Sequence, residues 1–161
     1  MKNIIVVTET PKHSTEKYDY DPESHFFLLK KSLPQGMCFP YDFGFIPNTM
    51  GEDGDPLDVI ILSEFTTFPG CTTSCRIIGC INAVQQESGS KKKIRNDRFV
   101  AIPEVSITFR RIKKISQLPE QMFKELNDFF INYNKIEGRK FSVLKLTGPE
   151  ASVDIIRKSA N

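Results

Sequence analysis

The chain has 161 residues, with 22 Lys and Arg against 20 Asp and Glu, a formal net charge of +2. This length suits a single domain, residues 1–161, that buries a real core. So small a net charge gives no argument for nucleic-acid binding by itself. No apolar run approaches the roughly 20 residues of a membrane-spanning helix, and residues 4–7 are too short for a signal peptide. We therefore expect a cytoplasmic domain.

The first half of the chain is predicted to consist of short strands. Residues 3–8 are rich in Ile and Val and form the first strand. Residues 17–22 and 25–30 alternate in polarity and are joined as a hairpin. Residues 32–52 are rich in Pro, Gly and aromatic side chains, which predicts a packed irregular segment.

The second half is predicted to contain further strands and then two helices. The strands are at residues 57–63, 74–84, 98–102 and 141–146, with a polar loop at 85–93. Residues 118–134 have helical apolar spacing, with Pro119 in the first turn and Gly138 beyond the end. Pro149 opens a terminal helix. Several short strands followed by helices predict a β-rich α+β fold with a small barrel as its core.

Three carboxylates, Asp53, Asp55 and Asp58, lie within six residues at the mouth of a predicted strand. Asp53 and Asp55 project to one side if the segment is extended. Two carboxylates about 5 Å apart repel by roughly 3 kcal/mol at an effective dielectric of about 20, and a cation relieves that repulsion. Mg²⁺ prefers such oxygen ligands. A solvated acidic turn is the alternative, since Gly54 and Pro56 are turn residues.

The four cysteines lack the paired spacing of a zinc site, and His13 and His25 lie far from them in sequence. We predict that all four are reduced and that most serve as packing residues. Both histidines are predicted to lie at the surface or in turns. The cysteines are Cys38, Cys71, Cys75 and Cys80.

The heptapeptide Asp-Gly-Asp-Pro-Leu-Asp-Val at residues 53–59 resembles the signature of soluble family I inorganic pyrophosphatases. The similarity spans nearly the whole chain. Residues 17–19 resemble the family's Lys-Tyr-Glu segment, residues 40–46 its Pro-x-x-Tyr-Gly-Tyr-Ile segment, and residues 129–133 its C-terminal active-site helix. The resemblance implies a five-stranded OB-like β-barrel with flanking C-terminal helices, in agreement with the element pattern.

The resemblance also implies Mg²⁺-dependent hydrolysis of pyrophosphate to two phosphates. Metal ions neutralise the substrate charge and activate the attacking water. Asp53 and Asp58 would bind metal, Glu9 would act through metal-bound waters, and Asp55 would take the proton from the metal-bridged water. The residues implied to hold phosphate oxygens are Lys17, Lys31, Arg98 and Tyr133. Arg98 could grip a phosphate with two nitrogens, whereas a lysine acts as a point charge.

This sequence departs from the family pattern in its second metal-binding segment. Gln85 and Asn96 stand at two positions that are usually Asp, and neutral amides are weaker Mg²⁺ ligands than carboxylates. We predict that Asp97 replaces the missing ligand, because a bulge can re-aim a neighbouring side chain. An Asp97 directed away from Asp53 and Asp58 would contradict that prediction.

Smaller departures affect the substrate side. Phe39 and Phe43 stand where the family usually has Tyr, Lys31 replaces Arg, Asn134 replaces Lys and Asp19 replaces Glu. These changes leave room for a divergent relative with weak or altered phosphoanhydride hydrolase activity.

A rival hypothesis from another class is an OB-like module that binds single-stranded nucleic acid. The 13 Phe residues and the basic runs at 91–93 and 110–114 would favour it, but three acids in the proposed groove oppose it. We therefore predict pyrophosphate as the ligand, with neither a nucleic-acid nor a membrane partner. The family resemblance implies a homo-oligomer, with a hexamer as one possibility.

Overall fold

The computed structural model describes residues 3–160, which form nine strands, two α-helices and a 3-10 turn at Ile115–Gln117. The helices are α1 (Glu120–Ile136) and α2 (Pro149–Lys158). The strands are β1 (Ile4–Thr10), β2 (Glu16–Asp21), β3 (Phe26–Ser32), β4 (Asp42–Phe45), β5 (Asp58–Ile61), β6 (Thr72–Glu87), β7 (Lys93–Arg95), β8 (Arg98–Pro103) and β9 (Arg139–Thr147).

Five of these strands close into a barrel. Strand β1 pairs with β4, β4 with β5, β5 with β8, β8 with β6, and β6 returns to β1. All of these pairings are antiparallel except the parallel pairing of β5 with β8. The far half of the long strand β6 extends beyond the barrel and pairs with β7 and β9. Strands β2 and β3 form a separate hairpin. This architecture confirms the predicted β-rich fold with a five-stranded barrel.

Two apolar clusters fill and flank the barrel. One cluster takes Leu126 and Phe130 from α1, and the other takes Val153 and Ile156 from α2. These positions are three or four residues apart, so each helix turns one apolar stripe toward the sheet. Pro149 is the first residue of α2, as its fixed φ and missing N–H favour. The predicted helices are therefore confirmed, α1 with a shift of two residues.

Gly44 allows strand β4 to pack closely against β1. A Cβ built at Gly44 would lie 1.9 Å from the carbonyl oxygen of Val7, so no other residue fits there without moving the strand. Gly44 faces Thr8 in the antiparallel pairing, next to Glu9. Gly44 therefore sets the distance between the end of β1 and the chain that leads into the acidic loop, the segment before β5 that carries Asp53 and Asp55.

Two strands were not predicted. Strand β4 lies in the segment expected to be irregular, and β7 lies at the end of the expected polar loop. Both are only three or four residues long; β4 gains its hydrogen bonds from β1 and β5, and β7 gains its own from the end of β6. Across residues 3–160, no helix has the length and apolar character to cross a membrane.

Candidate active site

A cavity of about 1140 Å³ opens at one end of the barrel, and most of the predicted site residues line it. Its walls come from the hairpin, the ends of β1, β5 and β8, the loop before β5, and the end of α1. Eight of the nine predicted residues lie here: Glu9, Lys17, Lys31, Asp53, Asp55, Asp58, Arg98 and Tyr133. Residues up to 124 positions apart in sequence are thus brought to one surface.

The acidic loop is held by its own backbone. The amide of Gly51 donates to the carbonyl of Asp55 at 2.8 Å, and the amide of Asp55 donates to Oδ1 of Asp53 at 3.2 Å. Gly54 makes the turn with φ of +89°, in the left-handed region that suits glycine. The side chains of Asp53 and Asp55 are exposed toward the cavity, and neither forms a salt bridge within residues 3–160.

Mutual repulsion marks these carboxylates as uncompensated. Partial burial raises the pKa of Asp55, and the negative charges of Asp53 and Asp19 add to the rise, while Lys17 opposes it. Like charges this close disfavour the ionised form unless a cation joins them. Asp53 and Asp55 are thus exposed acids that line a cavity together.

Strand register places Asp58 beside Arg98. The two are the first residues of β5 and β8 and are paired in the parallel ladder, and Oδ2 of Asp58 forms a salt bridge with Nη1 of Arg98. Burial raises the pKa of Asp58, while the charges of Arg98 and Lys17 oppose that rise. One carboxylate of the three is therefore partly neutralised by the protein, and two are not.

A second charged group joins β1 to β2. Lys17 Nζ lies 3.8 Å from Oε2 of Glu9 and closer still to Oδ1 of Asp19. Burial raises the pKa of Glu9 to about 7, against the lowering effects of Lys17 and of the amide of Tyr20, which donates to Oε1 at 2.8 Å. The pKa of Lys17 rises because Glu9 and Asp19 outweigh its burial. Lys17 therefore stays a fixed cation.

The remaining cations rest on aromatic rings. The guanidinium carbon of Arg98 lies 5.6, 5.5 and 5.8 Å from the ring centres of Phe43, Phe130 and Phe141. Its buried Nε has no hydrogen-bond partner within residues 3–160. An arginine held in this way offers a donor without an acceptor in the protein, which suits an anionic ligand.

Lys31 and Tyr133 meet at the far side of the cavity. Lys31 Nζ lies 4.4 Å from the centre of the Tyr133 ring and forms a salt bridge with Glu137. Sequence reasoning missed Glu137, because nothing local marks a residue 106 positions away as a partner of Lys31. Tyr133 in turn stacks on Phe129, with ring centres 5.7 Å apart. The lysine is thus oriented by a ring and a carboxylate before any ligand arrives.

The two phenylalanines that replace family tyrosines pack as core. Phe39 and Phe43 are buried and lie 5.1 and 5.9 Å, between ring centres, from Phe129 and Phe130 of α1. Asn134, in place of a lysine, is buried and donates to the backbone carbonyl of Phe130 at 2.8 Å. These positions therefore shape the cavity wall without adding charge to it.

The structure places Asp97 in a cavity of its own beside the large one. Asp97 is buried and does not line the large cavity; it lines a smaller one of about 340 Å³ that Asp53 and Asp58 also border. Its Oδ1 accepts from the amide of Ala83 at 3.1 Å. Its Oδ2 accepts from Asn82 Nδ2 at 3.0 Å and Arg95 Nε at 2.9 Å. Asp97 thus accepts three hydrogen bonds from the protein, and its assignment as the replacement ligand stays a prediction.

Gln85 and Asn96 do line the large cavity, as their alignment with ligand positions implies. Asn96 Nδ2 donates to Gln85 Oε1, and Asn96 Oδ1 accepts from Arg98 Nη1. This side of the cavity therefore presents two neutral amides that hydrogen-bond to each other. The nearest carboxylate linked to them is Asp58, which shares Nη1 of Arg98 with Asn96.

The donor set fits Mg²⁺ on the acidic side only. Among residues 3–160, no three Asp, Glu, His or Cys side chains converge as a ready-made metal group. Mg²⁺ usually keeps several waters and needs only one or two carboxylates from the protein. Asp53 and Asp58 line the same cavity and could provide such a pair of oxygen donors, with Asp55 between them in sequence.

The cysteines and histidines lie apart from this chemistry. All four cysteines are free thiols, and burial raises the pKa of Cys75 to about 12. His13 and His25 are exposed and occupy turns with φ of 67° and 60°. The predictions of reduced cysteines and of histidines in turns are therefore confirmed.

Comparisons with known proteins agree with this geometry. The family model for inorganic pyrophosphatase matches residues 6–161. An inorganic pyrophosphatase of Geobacillus stearothermophilus is 33% identical, covering 96% of this chain and 90% of that protein. One from Methanosarcina acetivorans is 32% identical, covering 96% and 88%. The crystal structure of the inorganic pyrophosphatase of Thermus thermophilus superposes with a TM-score of 0.88 at 27% identity, covering 98% of this chain and 89% of that one.

Proposed function

This chain belongs to the inorganic pyrophosphatase family, and we propose that it hydrolyses pyrophosphate to two phosphates in the charged cavity, with Mg²⁺ as cofactor. The observation that carries the proposal is one juxtaposition. Two unpaired carboxylates, Asp53 and Asp55, share a concave surface with the fixed cations Lys17 and Arg98. Pyrophosphate with a divalent cation has the complementary charges.

Asp53 and Asp58 are the residues proposed to hold Mg²⁺ directly, with Glu9 acting through intervening waters. Asp53 is exposed toward the cavity, and Asp58 borders it at the start of β5. When bound, the cation supplies Lewis-acid stabilisation of phosphate charge and lowers the pKa of coordinated water. The mutual repulsion of the three aspartates supports this assignment, because a divalent cation converts that repulsion into attraction.

Asp55 is proposed as the base that accepts the proton of the attacking water. Its raised pKa, caused by burial and by the neighbouring charges of Asp53 and Asp19, makes it a better proton acceptor than an ordinary aspartate. The water oxygen forms a bond to one phosphorus as the bridging oxygen leaves with its electron pair, and the proton from the water goes to Asp55. No covalent enzyme intermediate is needed.

The cations are proposed to hold the phosphoryl oxygens in line for this displacement. Lys17 is fixed between Glu9 and Asp19, and Lys31 between Glu137 and the Tyr133 ring. Arg98 keeps its Nε without an acceptor among residues 3–160. Because these groups are oriented before binding, they stabilise developing charge without reorganisation. Tyr133 lines the same wall and is assigned to the same task.

Release of phosphate from pyrophosphate tests the proposal. We expect turnover by the full chain in millimolar Mg²⁺ and loss of it in excess chelator. The Asp55→Asn variant should lose roughly 10²–10⁴-fold in kcat, the usual contribution of a positioned base, with an unchanged circular dichroism spectrum. Asp154→Asn, on the exposed face of α2, is the matched control. Phosphate release that ignores the chelator would defeat the role of metal, and full activity of Asp55→Asn would move the base elsewhere.

We also propose that the protein self-associates and works in the cytoplasm, as expected from its relatives. Exposed apolar side chains on β9, Leu144 and Leu146, support a protein contact at that strand. Light scattering coupled to size-exclusion chromatography measures the mass directly. A strictly monomeric chain at micromolar concentration would contradict this part of the proposal.

A further inference from the structure

We propose that Asn96 and Gln85 are positioning residues, which hold the Arg98 guanidinium between Asp58 and the substrate phosphate. The inference rests on the proposed function. It assigns a task to the amide side of the cavity, which has none in the metal chemistry. The three side chains form a continuous chain of hydrogen bonds: Arg98 Nη1 donates to Asn96 Oδ1, and Asn96 Nδ2 donates to Gln85 Oε1.

The direction of this chain is fixed by chemistry. A guanidinium carries only donors, so the Asn96 atom that faces Arg98 must be the amide oxygen. The Asn96 nitrogen then points the other way, and Gln85 must present its own oxygen to it. A carboxylate could accept from Arg98 at position 96 but could not donate onward to Gln85. The pair of amides is therefore matched as a unit.

The amides are anchored on rigid backbone. Gln85 lies in β6 between two neighbouring strands, opposite Ile94 of β7 and Phe141 of β9. The amide of Asn96 donates to the carbonyl of Ala83 at 3.0 Å. Asp97, the next residue, is fixed by three hydrogen bonds of its own. The hydrogen-bonded chain from Gln85 through Asn96 to Arg98, called the relay below, therefore holds the arginine at a fixed place relative to β6.

Arg98 needs such a hold because its surroundings are apolar. Three phenylalanine rings surround the guanidinium at 5.5–5.8 Å, and rings attract a cation without fixing its rotation. Within residues 3–160, all of its hydrogen bonds and its salt bridge use Nη1. Asn96 and Asp58 therefore share one terminal nitrogen, and the other, Nη2, remains for a phosphoryl oxygen.

Neutrality of the relay has a further consequence. Asn96 Oδ1 accepts from Arg98 Nη1 without adding a second negative charge beside Asp58. The Arg98 guanidinium thus meets one carboxylate and one neutral acceptor.

Steady-state kinetics of the full chain at saturating Mg²⁺ tests the relay. Asn96→Leu, which keeps the volume and removes both hydrogen bonds, should raise KM for pyrophosphate roughly tenfold and change kcat less than about threefold, since a charge-assisted hydrogen bond is lost. Asn96→Asp keeps the acceptor for Arg98 and should stay within about threefold of the wild-type KM. Gln85→Met should raise KM by roughly threefold. Gln86→Met, on the next residue of β6 and outside the cavity lining, is the control and should match the wild type.

A double-mutant comparison separates positioning from general damage. If Asn96 acts only through Arg98, the double variant Asn96→Leu/Arg98→Met should have the same KM as Arg98→Met alone, because the effects of coupled residues are not additive. Multiplicative effects, an unchanged KM in Asn96→Leu, or an Asn96→Asp variant as impaired as Asn96→Leu would each overturn the relay. If Asn96→Leu does not fold, Gln85→Met and its own double variant decide.

Affinity for inorganic phosphate, measured by titration calorimetry, gives a second readout that needs no turnover. The same order of variants is expected there: wild type and Gln86→Met tightest, then Gln85→Met, then Asn96→Leu. A wild-type protein that binds phosphate in this pattern but releases none from pyrophosphate would refute the proposed function while keeping the relay. An active wild type with equal phosphate affinity in all variants would refute the relay and leave the proposed function standing.

Discussion

Two groups of aspartate in this chain are similar in sequence and opposite in behaviour. Asp53 and Asp55 face a cavity with no salt-bridge partner in the described residues, and partial burial and the charge of Asp53 raise the pKa of Asp55. Asp97 lies in a buried turn between two strands, and three donors already satisfy its oxygens. Each hydrogen bond that Asp97 accepts leaves fewer of its lone pairs for a metal, so we expect the first group to bind a cation more tightly.

The largest expected effect concerns metal binding. Asp53→Asn should weaken Mg²⁺ binding by about a hundredfold or more, because it removes a charged oxygen donor where even a supporting residue is worth 10–100-fold. The measurement is the rise in melting temperature of the protein as Mg²⁺ is added, with calorimetry for the affinity. Asp97→Asn is the paired variant and should keep the affinity for Mg²⁺. Equal losses in the two variants would break the distinction between the two groups of aspartate.

The next effect concerns stability, and here we expect the larger loss at Asp97 and little loss at Asp53. In Asp97→Asn the new amide nitrogen would face Asn82 Nδ2 or Arg95 Nε, two donors, where Asp97 now accepts. We expect a loss of about 2 kcal/mol in free energy of unfolding, discounted because Arg95 is 42% exposed. Urea denaturation measures it, with Asp53→Asn as the control that should lose little stability. A neutral Asp97→Asn would mean that the buried contacts do not define its role.

The smallest effect sharpens the comparison through pH. The pKa of Glu9 is about 7 in the folded chain against 4.5 ordinarily, so folding disfavours its ionised form. Its contribution to stability is full below pH 4.5 and is lost as pH rises through 7. In metal-free protein, the free energy of unfolding of Glu9→Gln relative to the wild type should therefore rise by on the order of 1–2 kcal/mol between pH 5 and pH 8.

Urea unfolding at the two pH values, in the presence of chelator, measures this difference for Glu9→Gln and wild type side by side. Glu150→Gln, on the exposed surface of α2, should show no such trend. If the stability of Glu9→Gln relative to the wild type falls as pH rises, the ion pair with Lys17 outweighs the burial of the carboxyl.

Much of the fold was predictable from local pattern. The hairpin of β2 and β3, the long strand β6 and both helices follow from alternation, helical spacing and the positions of Pro119 and Pro149. Strands β4 and β7 were missed, because four and three residues carry too little periodicity to register. Their existence depends on the edges of β1, β5 and β6, which are assembled only in the folded chain.

The cluster of acids was predictable from the sequence, but the contacts around it were not. The spacing of Asp53, Asp55 and Asp58 indicated clustered charge, and the structure places all three on the cavity wall. The hydrogen bond from Asn82 to Asp97, 15 positions later, has no local signal in the sequence. The salt bridge of Lys31 with Glu137 is hidden from sequence for the same reason.

The parallel pairing of β5 with β8 couples substrate chemistry to assembly of the barrel. Asp58 and Arg98 begin the two strands side by side. A slip of one residue would turn their side chains to opposite faces of the sheet and leave the guanidinium stranded among phenylalanines without a counter-ion. A misaligned barrel would thereby lose a buried ion pair at the proposed site, so correct folding and the proposed hydrolysis would depend on the same pair of charges.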